Sequence, residues 1–157
     1  MAEHKSRVVW QRGDTEFTYE TYPRDHIWVF EGGIEVAASA APGFLGNAER
    51  VDPEEAFVAS LSSCHMLTFL AIAAKKRFVV DSYEDRAVGI LEENADGKLA
   101  MTRVTLRPAI VFSGEKRPSE QQIEKMHHSS HEHCFIASSV KTDVTVEAPF
   151  SAPSGCR

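Results

Sequence analysis

The chain has few cysteines, little contiguous positive charge, and neither an internal repeat nor a low-complexity segment. Its three cysteines, at 64, 134 and 156 of 157 residues, are too sparse for the disulfide framework of a small secreted domain. The formal net charge is -6 and the only basic run is Lys75-Lys76-Arg77, so a nucleic-acid backbone is a poor partner. Met1 to Arg7 carries charge but no apolar h-region, so no secretory signal is expected. A cytoplasmic protein with reactive or simply buried thiols is the resulting expectation. The share of hydrophobic residues, 43%, and of charged residues, 25%, is that of an ordinary soluble globular chain. Its length suits one domain, or one protomer of a dimer that shares its core. We expect a single domain over residues 1–148 and a loose tail over 149–157.

The first forty residues read as a β-meander. Arg7 to Gln11, Glu16 to Thr21 and His26 to Phe30 are the predicted strands, and Ile34 to Val36 resumes alternation after the Glu31-Gly32-Gly33 turn. Ala41 to Val51 reads as a loop. Asp52-Pro53-Glu54-Glu55 then starts a helix: Asp52 caps free amides, Pro53 suits the first helical position, and the glutamates favour the positive end of the dipole.

From Ala56 to Ala74 that helix carries no formal charge, and Lys75, Lys76 and Arg77 sit at its negative end. It is long enough to span a bilayer, but Ser60, Ser62, Ser63, His65 and Thr68 make its middle costly in lipid, which favours a buried core helix. Ser82 to Glu93 is a predicted strand, Asn94 to Gly97 a hairpin turn, and Lys98 to Phe112 a returning strand interrupted by Pro108 at an edge or bulge. Ser119 and Gln122 form a capping-box pattern for a second helix over Glu120 to His133. Val140, Thr142, Val144 and Val146 alternate with polar residues as a last half-buried strand. The class is α+β: antiparallel sheet, one long buried helix bearing a cysteine, and a second, more polar helix ending in another.

Cys64 alone would most often be a small hydrophobe packed in a core. Cys134 changes the weighing. Two thiols that meet in space support a cycle of sulfenic acid, disulfide and reduction by a further thiol. A peroxidatic thiol reacts as the thiolate, and apolar surroundings oppose ionisation, so a cationic or hydrogen-bonding neighbour is required. His65 points about 100° away around the helix, and Glu54 lies about 15 Å along the axis, so neither touches Cys64 from its own helix. Cys156 reads as an exposed bystander.

Pro53-Glu54-Glu55, the ten-residue step from Glu54 to Cys64, and the later His133-Cys134-Phe135-Ile136-Ala137-Ser138-Ser139-Val140 together resemble the OsmC/Ohr family of organic hydroperoxide reductases. The resemblance runs from the N-terminal strands to Val146. It implies an intertwined homodimer with sheets wrapped around two central Cys helices. It implies that Cys64 is the peroxidatic cysteine, Cys134 the resolving one, and Glu54 the carboxylate that holds an arginine over the thiolate. Arg24 is the first candidate for that arginine and Arg50 the runner-up. An arginine stays charged and can hydrogen-bond thiolate and carboxylate together. No metal or bound cofactor is implied; an organic hydroperoxide is the substrate and an external dithiol, of the lipoyl type among others, the reductant. Phe57, Leu61 and Met66 would rim an apolar pocket favouring alkyl hydroperoxides.

Two histidines depart from the family pattern, His65 after the first cysteine and His133 before the second. His127, His128, His131 and His133 crowd around Cys134, and His127 and His131 share a helix face, but no four-ligand spacing is evident. The competing reading is a non-catalytic dimer of the same fold that binds a small molecule or metal and keeps its cysteines inert.

Overall fold

Asp52 and Glu55 begin the long helix by reciprocal capping. The Glu55 amide donates to Asp52 Oδ1 at 2.7 Å and the Asp52 amide to Glu55 Oε2 at 3.2 Å, so two otherwise orphaned donors are satisfied. This helix, α1, spans Pro53–Lys75. Before it lie β1 (Ser6–Val9), β2 (His26–Phe30) and β3 (Glu35–Ala38). After it come β4 (Val79–Asp85), β5 (Val88–Glu93), β6 (Leu99–Leu106), β7 (Pro108–Ser113), α2 (Glu120–Glu132) and β8 (Asp143–Val146). This computed structural model describes residues 1–147, so the expected tail and Cys156 lie outside the described residues. The chain groups into two compact units, Met1–Ala56 and the part from Phe57 onward.

The first unit is an antiparallel meander in the order β1-β2-β3. The expected strand over Glu16 to Thr21 is absent; the segment is a run of turns. Thr21 donates to the Glu16 carbonyl at 2.7 Å and the Tyr22 amide to the Thr18 carbonyl at 3.0 Å. Its aromatic alternation serves a cluster, not a ladder: Phe17 lies 6.1 Å from Trp10 and 5.5 Å from Tyr22 between ring centroids. After β3 the chain turns through a 3-10 segment, Pro42–Phe44, and returns so that Val51 bridges Ala38.

In the second unit, α1 serves two cores. Leu61 packs with Val104 and Leu106, joined by Phe57, Val58, Val144 and Val146. Two to three turns on, Phe69 and Ala73 pack with Phe78 and Met126, joined by Tyr83, Ile110 and Phe112. The strands match this division: β4 pairs with β7, and a separate sheet runs β5-β6-β8. The expected continuous strands over 82–93 and 98–112 are each broken, the first at Arg86-Ala87 and the second at Arg107. Pro108 opens β7 opposite Asp85, where the first residue of a strand tolerates the missing donor. The sheet is not wholly antiparallel, because β8 runs parallel to β6.

The α1 helix is also less buried than expected. Within one chain Leu61, His65, Phe69 and Ala73 are buried, a single stripe at four-residue spacing, while Ala59, Ser63, Leu67 and Ala71 form an exposed stripe. By length and composition α1 is apolar enough to cross a bilayer, with 22% of its most apolar stretch buried. The α2 capping box is formed as expected, with Ser119 and Gln122 exchanging bonds at 3.3 and 2.9 Å.

Gly46 admits no side chain. A Cβ on Gly46 would lie 1.6 Å from the Ala40 carbonyl oxygen, a backbone atom that cannot rotate away. Gly46→Ala is expected to destabilise the protein by about 2–3 kcal/mol, as overpacking does. A urea midpoint equal to that of the parent would refute this.

Candidate functional site

The residues most able to do chemistry meet where α1 faces the end of α2. Cys64 is half-buried at mid-helix, and Cys134 is 1% exposed just beyond the last turn of α2. Both are free, and they are near enough for Cys64 to bear on the ionisation of Cys134. The chain holds Cys134 tightly. Its amide donates to the His131 carbonyl at 3.3 Å, its carbonyl accepts from the Ser138 amide at 3.0 Å, and its sulfur accepts from the Ala137 amide at 3.4 Å. Burial pushes the Cys134 thiol above its ordinary value, and the neighbouring Cys64 raises it further through a hydrogen bond and its charge; the Ala137 amide pulls the other way.

Beside the thiols on α1, His65 points into the protein and is 1% exposed. Its Nε2 lies 3.0 Å from Nδ1 of His127 on α2, and the rings are nearly parallel with centroids 5.3 Å apart. His127 also tilts against Phe69, centroid to centroid 4.5 Å. Burial lowers both imidazoles to about 4; for His65 the Asp85 carboxylate opposes this and His131 adds to it, and for His127 His65 adds to it. Asp85 is itself anchored, accepting from the Ser62 hydroxyl and from the Arg107 amide at 2.6 Å. This paired imidazole centre was not anticipated from the sequence. The signal was there: His65 falls on the stripe Leu61-His65-Phe69-Ala73, and a histidine among core positions requires a partner.

The histidines of α2 and its C-cap take separate roles. His127 bonds His65, His128 lies 3.5 Å from Glu132, and His133 Nδ1 contacts the Ser129 carbonyl at 2.8 Å. Among the described residues no group of three His, Cys, Asp or Glu side chains is placed to hold a metal ion. Of the expected pocket rim, Leu61 is withdrawn into the core at 1% exposure, because its position faces β6. Phe57 instead lines a cavity of about 480 Å³ with Met101, Thr102 and Val140.

The remaining expected residues belong to the first unit. Arg24 is half-buried over the Tyr22 ring, 3.7 Å from its centroid, with one terminal nitrogen donating to the Tyr22 carbonyl at 2.6 Å and the other to the Tyr19 carbonyl. Its Nε is buried without a partner, at the edge of a cavity of about 480 Å³ lined by Trp10, Phe17, Tyr22 and His26. Glu54 is half-buried in the first turn of α1, and no ion pair joins it to Arg24 among the described residues. Arg50 is committed elsewhere, paired with Asp25 at 2.9 Å.

Fold and thiols together define an α+β dithiol protein built on a central Cys-bearing helix. A family model described as OsmC-like protein matches residues 46–148. An OsmC-like protein of unknown function from Vibrio cholerae is 55% identical, with 95% of this chain and 100% of that chain covered at a TM-score of 0.92. An organic hydroperoxide resistance protein from Elizabethkingia anophelis, 15% identical, shares the fold over 95% of this chain and 98% of that one at 0.68. OhrB of Bacillus subtilis, also an organic hydroperoxide resistance protein, is 16% identical over 92% and 98% at 0.61. No curated protein matches the chain. The chain belongs to the OsmC-like family.

The imidazole pair sets an acid limit. Both pKa values are lowered on folding, so between about 6.5 and about 4 the unfolded chain binds protons that the folded one does not. This contribution to stability is complete above the upper value and declines as pH falls to the lower one. At about 1.4 kcal/mol per pH unit per proton, with the folded chain lagging the unfolded one by up to two protons, the loss across this window is expected to be on the order of 5 kcal/mol. His127→Gln, which keeps a partner for His65, should shallow the decline in urea midpoint between about pH 7 and about pH 4.5. An unchanged slope would remove the pair as its source.

Proposed function

We propose that the protein is a cysteine-based peroxidase that reduces organic hydroperoxides to alcohols. The observation that carries this is the nearness of Cys64 on α1 to Cys134 just beyond α2, close enough for Cys64 to raise the Cys134 thiol above its ordinary value. In the proposed cycle the Cys64 thiolate attacks the terminal oxygen of a hydroperoxide, the O–O bond breaks, and the alkoxide leaves as the alcohol after taking a proton. Cys64 is then a sulfenic acid. The Cys134 thiol condenses with it, giving a Cys64–Cys134 disulfide and water. An external dithiol, such as a lipoyl-type donor, returns both thiols by exchange and is itself oxidised to the disulfide. The hydroperoxide-resistance names carried by structural neighbours support the substrate class.

In this reading the working form is a homodimer in the cytoplasm. The exposed stripe Ala59-Ser63-Leu67-Ala71 of an otherwise apolar helix supports a second copy as its cover. Glu54 and Arg24 complete the site in the assembled dimer, with Arg24 exchanging its tyrosine carbonyls for the thiolate. Arg50, already neutralised by Asp25, is the weaker candidate.

One equivalent of cumene hydroperoxide should yield a peptide linking Cys64 and Cys134 under non-reducing mass spectrometry. Cys64→Ser is expected to abolish turnover, and Cys134→Ser to accumulate sulfenic acid that overoxidises under excess peroxide. Cys64 remaining a free thiol under excess peroxide would sink the enzyme and leave the inert binding dimer. Arg24→Ala should slow the reaction of Cys64 with peroxide at least about tenfold, roughly the loss of one charge-assisted hydrogen bond, while Arg50→Ala should not. The reverse result would move the role to Arg50.

A further inference from the structure

We propose that the C-terminal end of α1 is an anion site, in which Lys75, Lys76, Arg77 and Lys116 receive the phosphate group of a small soluble molecule. These side chains, with Phe78 and Gln122, surround a concavity of about 380 Å³ in the second unit. That is the size of a small-molecule site, open to solvent on one side.

The helix end itself is an orthodox Schellman turn. The Phe78 amide bonds the Ala73 carbonyl at 3.0 Å and the Arg77 amide the Ala74 carbonyl at 2.9 Å, and Phe78 closes it by packing with Ala73 in the core. The residue at the left-handed position of such a turn is usually glycine. Here it is Arg77, at φ 61°. An arginine is held where its Cβ is strained and glycine would be relaxed. The turn gains nothing from it, since Lys75 alone would complement the helix dipole.

Lys116 arrives from the loop after β7. Its Nζ donates to the Lys76 carbonyl at 2.6 Å and sits 4.7 Å from the centre of the Phe78 ring. One donor of the ammonium is thus spent on the helix end and two remain to turn into the concavity. Four arginines elsewhere are neutralised, Arg50 by Asp25, Arg86 by Glu84, Arg103 by Glu92 and Arg107 by Glu147, while Arg12, Arg24 and Arg117 are spread over other segments and bond carbonyls. Among the described residues no carboxylate pairs with Lys75, Lys76, Arg77 or Lys116. In a chain of net charge -6, four unpaired cations gathered from two segments form a local positive field that a multiply charged anion would answer. An arginine fork beside ammonium donors matches phosphate oxygens better than a single carboxylate. Cys64 lies eleven residues back along α1, about 16 Å by helical rise, so this site is separate from the thiols.

The test is titration calorimetry of the full-length protein with inorganic pyrophosphate at about 0.15 M salt, where loose surface attraction is screened. Saturable binding with a Kd below about 1 mM is expected. Arg77→Gly should weaken it at least about tenfold while raising the melting temperature by about 2–4 °C, because glycine relieves the backbone as the charge is lost. Lys116→Gln should weaken binding similarly, whereas Lys98→Gln, which removes a distant charge in a hairpin turn, should leave it unchanged. The proposal is overturned if no saturable binding is seen, if Arg77→Gly and Lys116→Gln bind like the parent, or if Lys98→Gln weakens binding equally. It is also overturned if vesicles containing phosphatidic acid are bound and pyrophosphate is not.

Discussion

The hydrogen bond between His65 and His127 is the interaction on which the rest of the second unit depends. It spans 62 residues of sequence and lies inside the protein. A leucine in place of His65 would gain about 2 kcal/mol from burial; the imidazole instead loses its hydration and recovers one bond. What that exchange provides is register. Residues on α2 turn about 100° per position, so a slide of one residue would separate the rings and leave a buried ring nitrogen unpaired. Such a tie is more discriminating than the apolar contacts of Phe69 and Met126, which tolerate repacking. Cys134 comes seven residues after His127, and the register that joins the imidazoles also brings its sulfur to Cys64.

The same helix explains why the sheet is divided. Leu61 and Phe69 face different cores, two turns apart, so the strands must cover a long helix rather than a short one. A single sheet wide enough to do this would twist away from the helix axis. The chain instead changes sheets at Arg86-Ala87 and again at Arg107. Asp85 braces the switch, since one carboxylate receives the Ser62 hydroxyl from α1 and the Arg107 amide from the break itself.

Much of this was legible from residue pattern and some was not, for identifiable reasons. Helix ends announce themselves through local chemistry, so the Asp52 start and the Ser119–Gln122 box appear in the structure as expected. Sheet membership is set by tertiary contact, and alternation runs through Arg86 and Arg107 without a mark, apart from Pro108. The segment Glu16 to Thr21 misled because aromatic alternation serves a ring cluster as readily as a strand. At the site, the two cysteines and their convergence followed from the family pattern. The imidazole pair did not, because the partner of a buried histidine is set by the tertiary packing of α1 on α2, which no local pattern around His65 specifies.

The environment of Cys134 gives the two thiols unlike parts in the proposed cycle. Burial and the nearness of Cys64 both favour its protonated form, and any negative charge on Cys64 makes a second thiolate beside it harder to form. A protonated thiol is a poor nucleophile toward a peroxide, so Cys134 does not compete for substrate. Once Cys64 carries the oxygen as a neutral sulfenic acid, that repulsion is gone. The amide of Ala137, 3.4 Å from the sulfur, then stabilises the thiolate that must attack. Burial is the larger cause and keeps Cys134 protonated while Cys64 reacts; the smaller part due to charge on Cys64 is lost on oxidation, which eases the second step.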